Sequence, residues 1–363
     1  MSDGRYMAIP PGSIVPGALP DFRIYVRSPQ GKYVLWALEG NKVSAGQLAR
    51  LTEGGLKEVF VDLEQKFQYD QYLENNLGEI LSNQYSSDDH KAMIFSNVST
   101  NVVKTAFEAS LGVGAMTADM LQRTQTMVRN ALMFISESRS LNALAKMIGH
   151  DYQTYEHATK VLWLTMAFLR ENPDVLEGIQ PGYQAANEKQ KMEMLRQCGV
   201  GALLHDIGKA FVATEILNKP EPLNEIEWEI MKRHPLNGLA MLLDTDLPGF
   251  VKKAVLHHHE DFHGGGYPMS IEGMKITTLA RVLRIVDAFD AMTSRRPYKD
   301  PMPPRKTMQI MIGTPPEQEN GDQPKDDRDE GMRRCFDGEI LKKFIIFLGR
   351  VDLSGQQGAL SKQ

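Results

Sequence analysis

The chain has 363 residues and a formal net charge of −5. That is length enough for two domains with cores of their own, and it leaves no global basic field for long nucleic acid. Hydrophobic residues make up 42% and charged residues 24%, the balance of a soluble globular protein, so an anionic ligand must be held by a few local cations or by metal.

The start MSDGRYMAIPPGS lacks the basic residues and apolar run of a signal peptide. The longest apolar stretch, Val161 to Leu169, is too short to span a bilayer. The expectation is a cytoplasmic protein with no membrane partner. Cys198 and Cys335, far apart in sequence, read as two free thiols in a reducing compartment.

Residues 1–20, rich in Pro and Gly, read as an irregular arm. FRIYVRS and KYVLWAL flank the turn-like Pro29-Gln30-Gly31 and predict a β-hairpin. A short helix follows, with Ser44 as its N-cap and Leu48 and Leu51 on its buried side, and EVFVDLE (58–64) reads as a third strand. Residues 1–85 are thus expected to form a small α/β domain, and no catalytic cluster falls in it. From Asp88 onward the pattern is helical, over 90–110, 115–149, 152–171, 188–207, 224–243, 249–259 and 275–293. Pro173 stops one helix, and Asn224 with Glu227 three residues later starts another. The expected fold class is mainly α: an all-α bundle preceded by the small α/β domain. Residues 313–330 hold seven acidic and two basic residues and no large apolar ones. They read as a solvated, disordered insertion whose charge equals that of the whole chain, so the folded remainder is near neutral.

All but one of the nine histidines fall from His150 onward, interleaved with carboxylates at helical spacing. His157 continues a stripe through Val161, Leu164 and Phe168. His205 and Asp206 close a helix whose buried side includes Leu195 and Ala202. His258 and His259 follow Val251 and Val255, and Asp287 lies one turn after Leu283. His234 precedes Pro235, where the backbone is expected to leave the helix. Singly, each inward His or Asp is more often a hydrogen-bonded core residue. Together and unpaired they would carry a large desolvation penalty, which a divalent cation offsets. Imidazole and carboxylate without thiolate suit Fe, Mn, Zn or Ni rather than a structural zinc site. His90, His150 and His263 have weaker cases. His257, His258 and His259 cannot all face one site, because neighbouring helical side chains diverge by about 100°.

These residues carry a resemblance. His205-Asp206-Ile207-Gly208-Lys209 reads HDIGK, similar to the signature of HD-domain phosphohydrolases. His258-His259-Glu260 followed by Gly264-Gly265-Gly266-Tyr267-Pro268 resembles the HHE…GxGYP element of the HD-GYP subgroup, and residues 215–235 and 286–299 resemble it too. The resemblance implies a regulatory or adaptor domain over 1–85, a helical linker over 86–139 and a catalytic helical bundle over 140–353. HD-GYP proteins hydrolyse cyclic di-GMP to linear pGpG or on to GMP. By motif match the metal ligands are His157, His205, Asp206, His234, His258, His259 and Asp287, with Asp206 bridging two divalent transition metals, Fe or Mn. Lys209 matches a lysine that approaches the scissile phosphate, and Tyr267, Arg296 and Lys299 match residues that contact the ligand. Gln153 stands where some members place a Glu that holds a third metal, so two metals are implied. Asp261 and His263 replace the Arg and the Asp or Asn usual before GYP. Two alternatives stay open: a cyclic-dinucleotide receptor with little turnover, and a hydrolase of another cyclic dinucleotide. A signalling-protein partner, through the N-terminal domain or the GYP loop, and a homodimer are further expectations.

Overall fold

The structure is a computed structural model described over residues 5–53, 55–83, 88–135, 154–294, 300–313 and 332–350. The chain falls into two compact units, residues 1–98 and 99–363.

In the first unit, β-branched and aromatic residues build four strands in one antiparallel sheet. β1 (Tyr6–Ile9), β2 (Ile24–Arg27), β3 (Tyr33–Ala37) and β4 (Val59–Asp62) lie in the order β1-β4-β2-β3. The expected hairpin is present, with Val26 opposite Val34. The supposed irregular arm instead supplies β1, in which Ile9 pairs with Val59 and Tyr6 with Asp62. The reason is local: YMAI is a short strand sequence masked by the Pro-Pro-Gly that follows it. α1 (Ala45–Glu53) is capped by Ser44, whose Oγ accepts from Gln47 N at 3.3 Å. Residues 66–82, which carried no helical prediction, form α2 (Lys66–Asn75) and α3 (Leu77–Ser82). Phe22, Tyr69, Tyr72, Leu77 and Ile80 are buried in this unit. Tyr72 accepts a hydrogen bond from Val15 N at 2.8 Å, and the Tyr69 hydroxyl donates to Ser13 Oγ at 3.1 Å.

α4 (Asp88–Val113) crosses the division between the units, and everything after it that the structure describes is helix or loop. α5 (Ala118–Ile135), α6 (Thr154–Glu171), α7 (Pro173–Ile179) and α8 (Glu188–Leu204) follow. Then come a 3₁₀ turn (Ile207–Phe211), α9 (Thr214–Leu217), α10 (Glu225–Met231), α11 (His234–Leu242), α12 (Gly249–His257) and α13 (Thr278–Thr293). α14 (Pro304–Ile312) and α15 (Gly338–Arg350) complete the set and had no counterpart in the sequence reading. Every residue of α6 from His157 to Leu169 is buried, with apolar side chains on all sides of the helix. α15 lays Phe344 and Phe347 against Phe168, with centroids 5.6 and 5.9 Å apart. Among the described residues no helix is long and apolar enough to cross a membrane.

Two boundaries correct the sequence reading. The single helix expected over 224–243 is two, because Pro235 sits in the first turn of α11 instead of ending a helix. Proline lacks only an N–H that a first helical turn leaves unpaired anyway. α8 stops at Leu204, so His205 caps it and Asp206 lies just beyond. The expected helix beyond Ile135, together with His150, Gln153 and most of the acidic insertion, lies outside the described residues.

Candidate metal centre

Three of the histidines sit at helix ends, and this decides which way they point. The last carbonyls of a helix have no intrahelical donor. His205 and His258 cap α8 and α12, and His234 follows the end of α10. Each turns its Nδ1 to the carbonyl three residues back: His205 to Ala202 at 2.7 Å, His234 to Met231 at 2.8 Å and His258 to Val255 at 2.7 Å. A carbonyl only accepts, so Nδ1 carries the proton and Nε2 presents its lone pair inward. His157, on α6, is oriented from the other side. Its Nδ1 lies 2.7 Å from the buried Asp290 carboxylate on α13.

The lone pairs converge on Asp206. Its Oδ2 lies 3.7 Å from His157 Nε2 and 3.4 Å from His205 Nε2, while its Oδ1 lies 3.2 Å from His234 Nε2 and 3.7 Å from His258 Nε2. Asp287 Oδ1 stands 3.0 Å from His157 Nε2, and Asp287 Oδ2 stands 3.8 Å from His259 Nδ1. The donors form two groups, His157, His205 and Asp287 on one side and Asp206, His234, His258 and His259 on the other, each with ligand atoms within 4.8 Å of one another. One carboxylate thus faces both groups with different oxygens.

As a hydrogen-bonded core this arrangement fails. The Nε2 atoms of His234 and His258 are 3.1 Å apart, yet both Nδ1 already hold the proton, so two lone pairs face each other. His205 Nε2 and Asp206 Oδ1 are buried with no hydrogen-bond partner. Cations at this point would satisfy all of them at once, so the donor set fits divalent metal. The electrostatics agree. Burial pushes the His258 imidazole down to about 4 and His259 well below the usual range, keeping both neutral as ligands must be. Burial works to raise Asp206 and Asp287. It is outweighed by Lys209 at Asp206 and by His157 at Asp287, so both carboxyls stay well below the usual carboxylate range.

The surroundings are built tightly. A side chain at Gly208 would place Cβ 2.0 Å from His234 O and 2.3 Å from Gly238 N, so only glycine lets the turn after Asp206 lie against α11. Lys209, one residue on, puts Nζ 2.5 Å from Asp206 Oδ2. After His259 the loop folds back because Glu260, itself buried, accepts from Met269 N at 2.6 Å and Ile271 N at 3.1 Å. Gly266 permits this, since a Cβ there would meet Asp261 N at 2.2 Å and His259 O at 2.4 Å. Tyr267 is thereby stacked on His259 with centroids 4.8 Å apart.

The structure therefore brings His157, His205, Asp206, His234, His258, His259, Asp287, Lys209 and Tyr267 together and leaves His257 outside the cluster. Arg296 and Lys299 lie outside the described residues. Sequence reasoning missed Asp290, although its place three residues after Asp287 on α13 puts both carboxylates on one face. It also gave no role to Glu260.

Residues 182–315 match the HD domain family, a stretch that holds every member of the cluster except His157. The cyclic di-GMP phosphodiesterase PA4108 of Pseudomonas aeruginosa is 31% identical over 271 residues, covering 70% of this chain and 60% of that protein. A cyclic di-GMP phosphodiesterase of Thermotoga maritima is 33% identical over 45% of this chain and 40% of its own length. The 3'3'-cGAMP-specific phosphodiesterase 3 of Vibrio cholerae is 37% identical over 30% of this chain and 24% of its own length. The chain thus spans 60% or less of the length of these relatives. The solved structure of Bd1817, an HDG"Y"P protein from Bdellovibrio bacteriovorus, has the same fold with a TM-score of 0.56, at 17% identity over 95% of this chain and 99% of that one. Over residues 182–315 this chain is similar to HD domains. Its motifs resemble those of HD-GYP proteins, its fold is that of the Bd1817 structure, and its His/Asp clusters fit the divalent metals on which HD domains depend.

Proposed function

We propose that this chain is a phosphodiesterase that hydrolyses cyclic di-GMP to linear pGpG or GMP, using two divalent transition metals held by His157, His205, Asp206, His234, His258, His259 and Asp287. The observation that carries the reading is Asp206, whose two oxygens face two separate groups of imidazole lone pairs. Iron or manganese bound there would lower the pKa of a coordinated water and neutralise phosphate charge. Asp206 ties the two groups together. Lys209 Nζ, beside Asp206 at the edge of the cluster, offers a charge-assisted hydrogen bond to a phosphate oxygen. Tyr267 presents a ring face, fixed by its stack on His259, to a base or its sugar-phosphate. Arg296 and Lys299, by the resemblance of their motif, are the further candidates for phosphate contact. The first unit contains no metal-ligating cluster among its described residues and acts as the regulatory or adaptor part.

The test is a panel of cyclic dinucleotides offered to metal-loaded protein. Cleavage of cyclic di-GMP at the highest kcat/KM is the expected outcome. Faster cleavage of cyclic GMP-AMP, the substrate named for the Vibrio relative, would reassign the substrate and keep the chemistry. Tight binding without cleavage of any member would make the chain a receptor.

A further inference from the structure

The two loop residues that depart from the HD-GYP pattern, Asp261 and His263, meet a third group that the chemistry above does not use. Cys335 arrives on the turn before α15, and the ligand atoms of Asp261, His263 and Cys335 lie within 4.8 Å of one another. Backbone bonds hold the two segments side by side. Phe262 N donates to Cys335 O at 2.9 Å, and His263 Nδ1 faces Arg334 O at 3.1 Å. With Nδ1 so engaged, His263 Nε2 carries the lone pair. Asp261 is steadied by Arg284, whose Nε and Nη2 both donate to Oδ1 at 2.9 and 2.8 Å, in the manner of a ligand carboxylate held by an outer donor.

We infer that Asp261, His263 and Cys335 form a second, separate metal site that takes a borderline-soft dication such as zinc. Thiolate, imidazole and carboxylate are the three donor types zinc accepts, and the exposure of His263 leaves a fourth position for water. The ionised ligands and Arg284 together carry −1, so a dication is attracted while the pair to Arg284 survives. Binding forms a metal–sulfur bond, and the Cys335 S–H proton passes to solvent; no electron is transferred. The metal would clip the loop bearing Tyr267 to the segment that leads into α15, fixing one wall of the catalytic cleft from outside it.

Cobalt distinguishes this site from the His/Asp centre, which contains no sulfur. Full-length apo protein titrated with Co²⁺ alone should develop a near-ultraviolet thiolate-to-cobalt charge-transfer band. The band should persist in Cys198→Ser and in Asp206→Asn, disappear in Cys335→Ser and weaken in His263→Ala. Added Zn²⁺ should bleach it and slow maleimide alkylation of Cys335, read by intact mass, by more than about tenfold. The absence of a thiolate band in the wild-type protein would overturn the site, as would its survival in Cys335→Ser. Alkylation of Cys335 at the same rate with and without Zn²⁺ would overturn it as well. Persistence of the band in Asp206→Asn keeps this result independent of the fate of the phosphodiesterase reading.

Discussion

Two buried tyrosines of the first unit and the His205–Asp206 pair of the second bury their polar atoms in opposite ways. In the first unit Tyr69 and Tyr72 put their hydroxyls inside, and each finds a partner from its own chain, Ser13 and Val15 N. In the second unit His205 and Asp206 are buried as deeply, and His205 Nε2 and Asp206 Oδ1 are left without one. Paired burial stabilises a fold, whereas unpaired burial of several lone pairs in one place costs stability unless something else arrives. The clustering of such lone pairs in one place, more than any single unpaired atom, marks the site.

The comparison is broken most severely at Asp206. Asp206→Asn keeps the shape but removes the charge shared by both donor groups, so hydrolysis should fall to background while circular dichroism stays that of folded protein. Metal content should drop in the same preparation. A folded variant with near wild-type turnover would end the phosphodiesterase reading. Asp290→Asn acts one step further out, through His157 Nδ1. Loss of an outer hydrogen-bond partner of a ligand imidazole lowers metal affinity by about 10–100-fold, so the variant should need more metal for full activity and recover at high metal. An unchanged metal titration would show Asp290 to be a packing residue.

Acid sharpens the contrast through His258. Its folded-state value of about 4 lies below the ordinary 6.5, so the unfolded chain takes the proton first as pH falls. Metal-free protein should therefore be unaffected above pH 6.5 and lose stability between 6.5 and 4, by an amount of order 3 kcal/mol from this group. Urea midpoints at pH 7 and pH 5 measure it, and a flat profile would contradict burial of a neutral imidazole. The smallest effect is expected in the first unit. Tyr72→Phe leaves Val15 N buried and unpaired, which costs about 1–3 kcal/mol. Hydrogen exchange in residues 5–83 should report that loss while metal content stays at the wild-type level.

Convergence of the histidines and carboxylates was legible because imidazoles on apolar stripes are hard to explain in a metal-free core. The exact helix ends were not. Pro235 reads from the sequence as a stop, whereas it lies in the first turn of α11, against which the Gly208 turn packs. Asp290 escaped because its partner, His157, lies 133 residues away, and no local spacing links the two. β1 escaped because four residues carry too little periodicity, so its pairing with β4 decides its state. α14 and α15 flank the acidic stretch, whose composition drew the reading away from helix on either side of it.

The carbonyls of Ala202, Met231 and Val255 orient three imidazoles, and a backbone carbonyl is retained whatever side chain is substituted. Natural variation at those three positions can alter the side chain freely, within what packing tolerates, without turning a single ring. The aim of the histidines is therefore insulated from mutational drift at the residues that set it. It is exposed only to changes that move a helix end, such as an insertion in α8, α10 or α12. In an alignment, the identities at 202, 231 and 255 should wander while the helix lengths leading to His205, His234 and His258 hold constant.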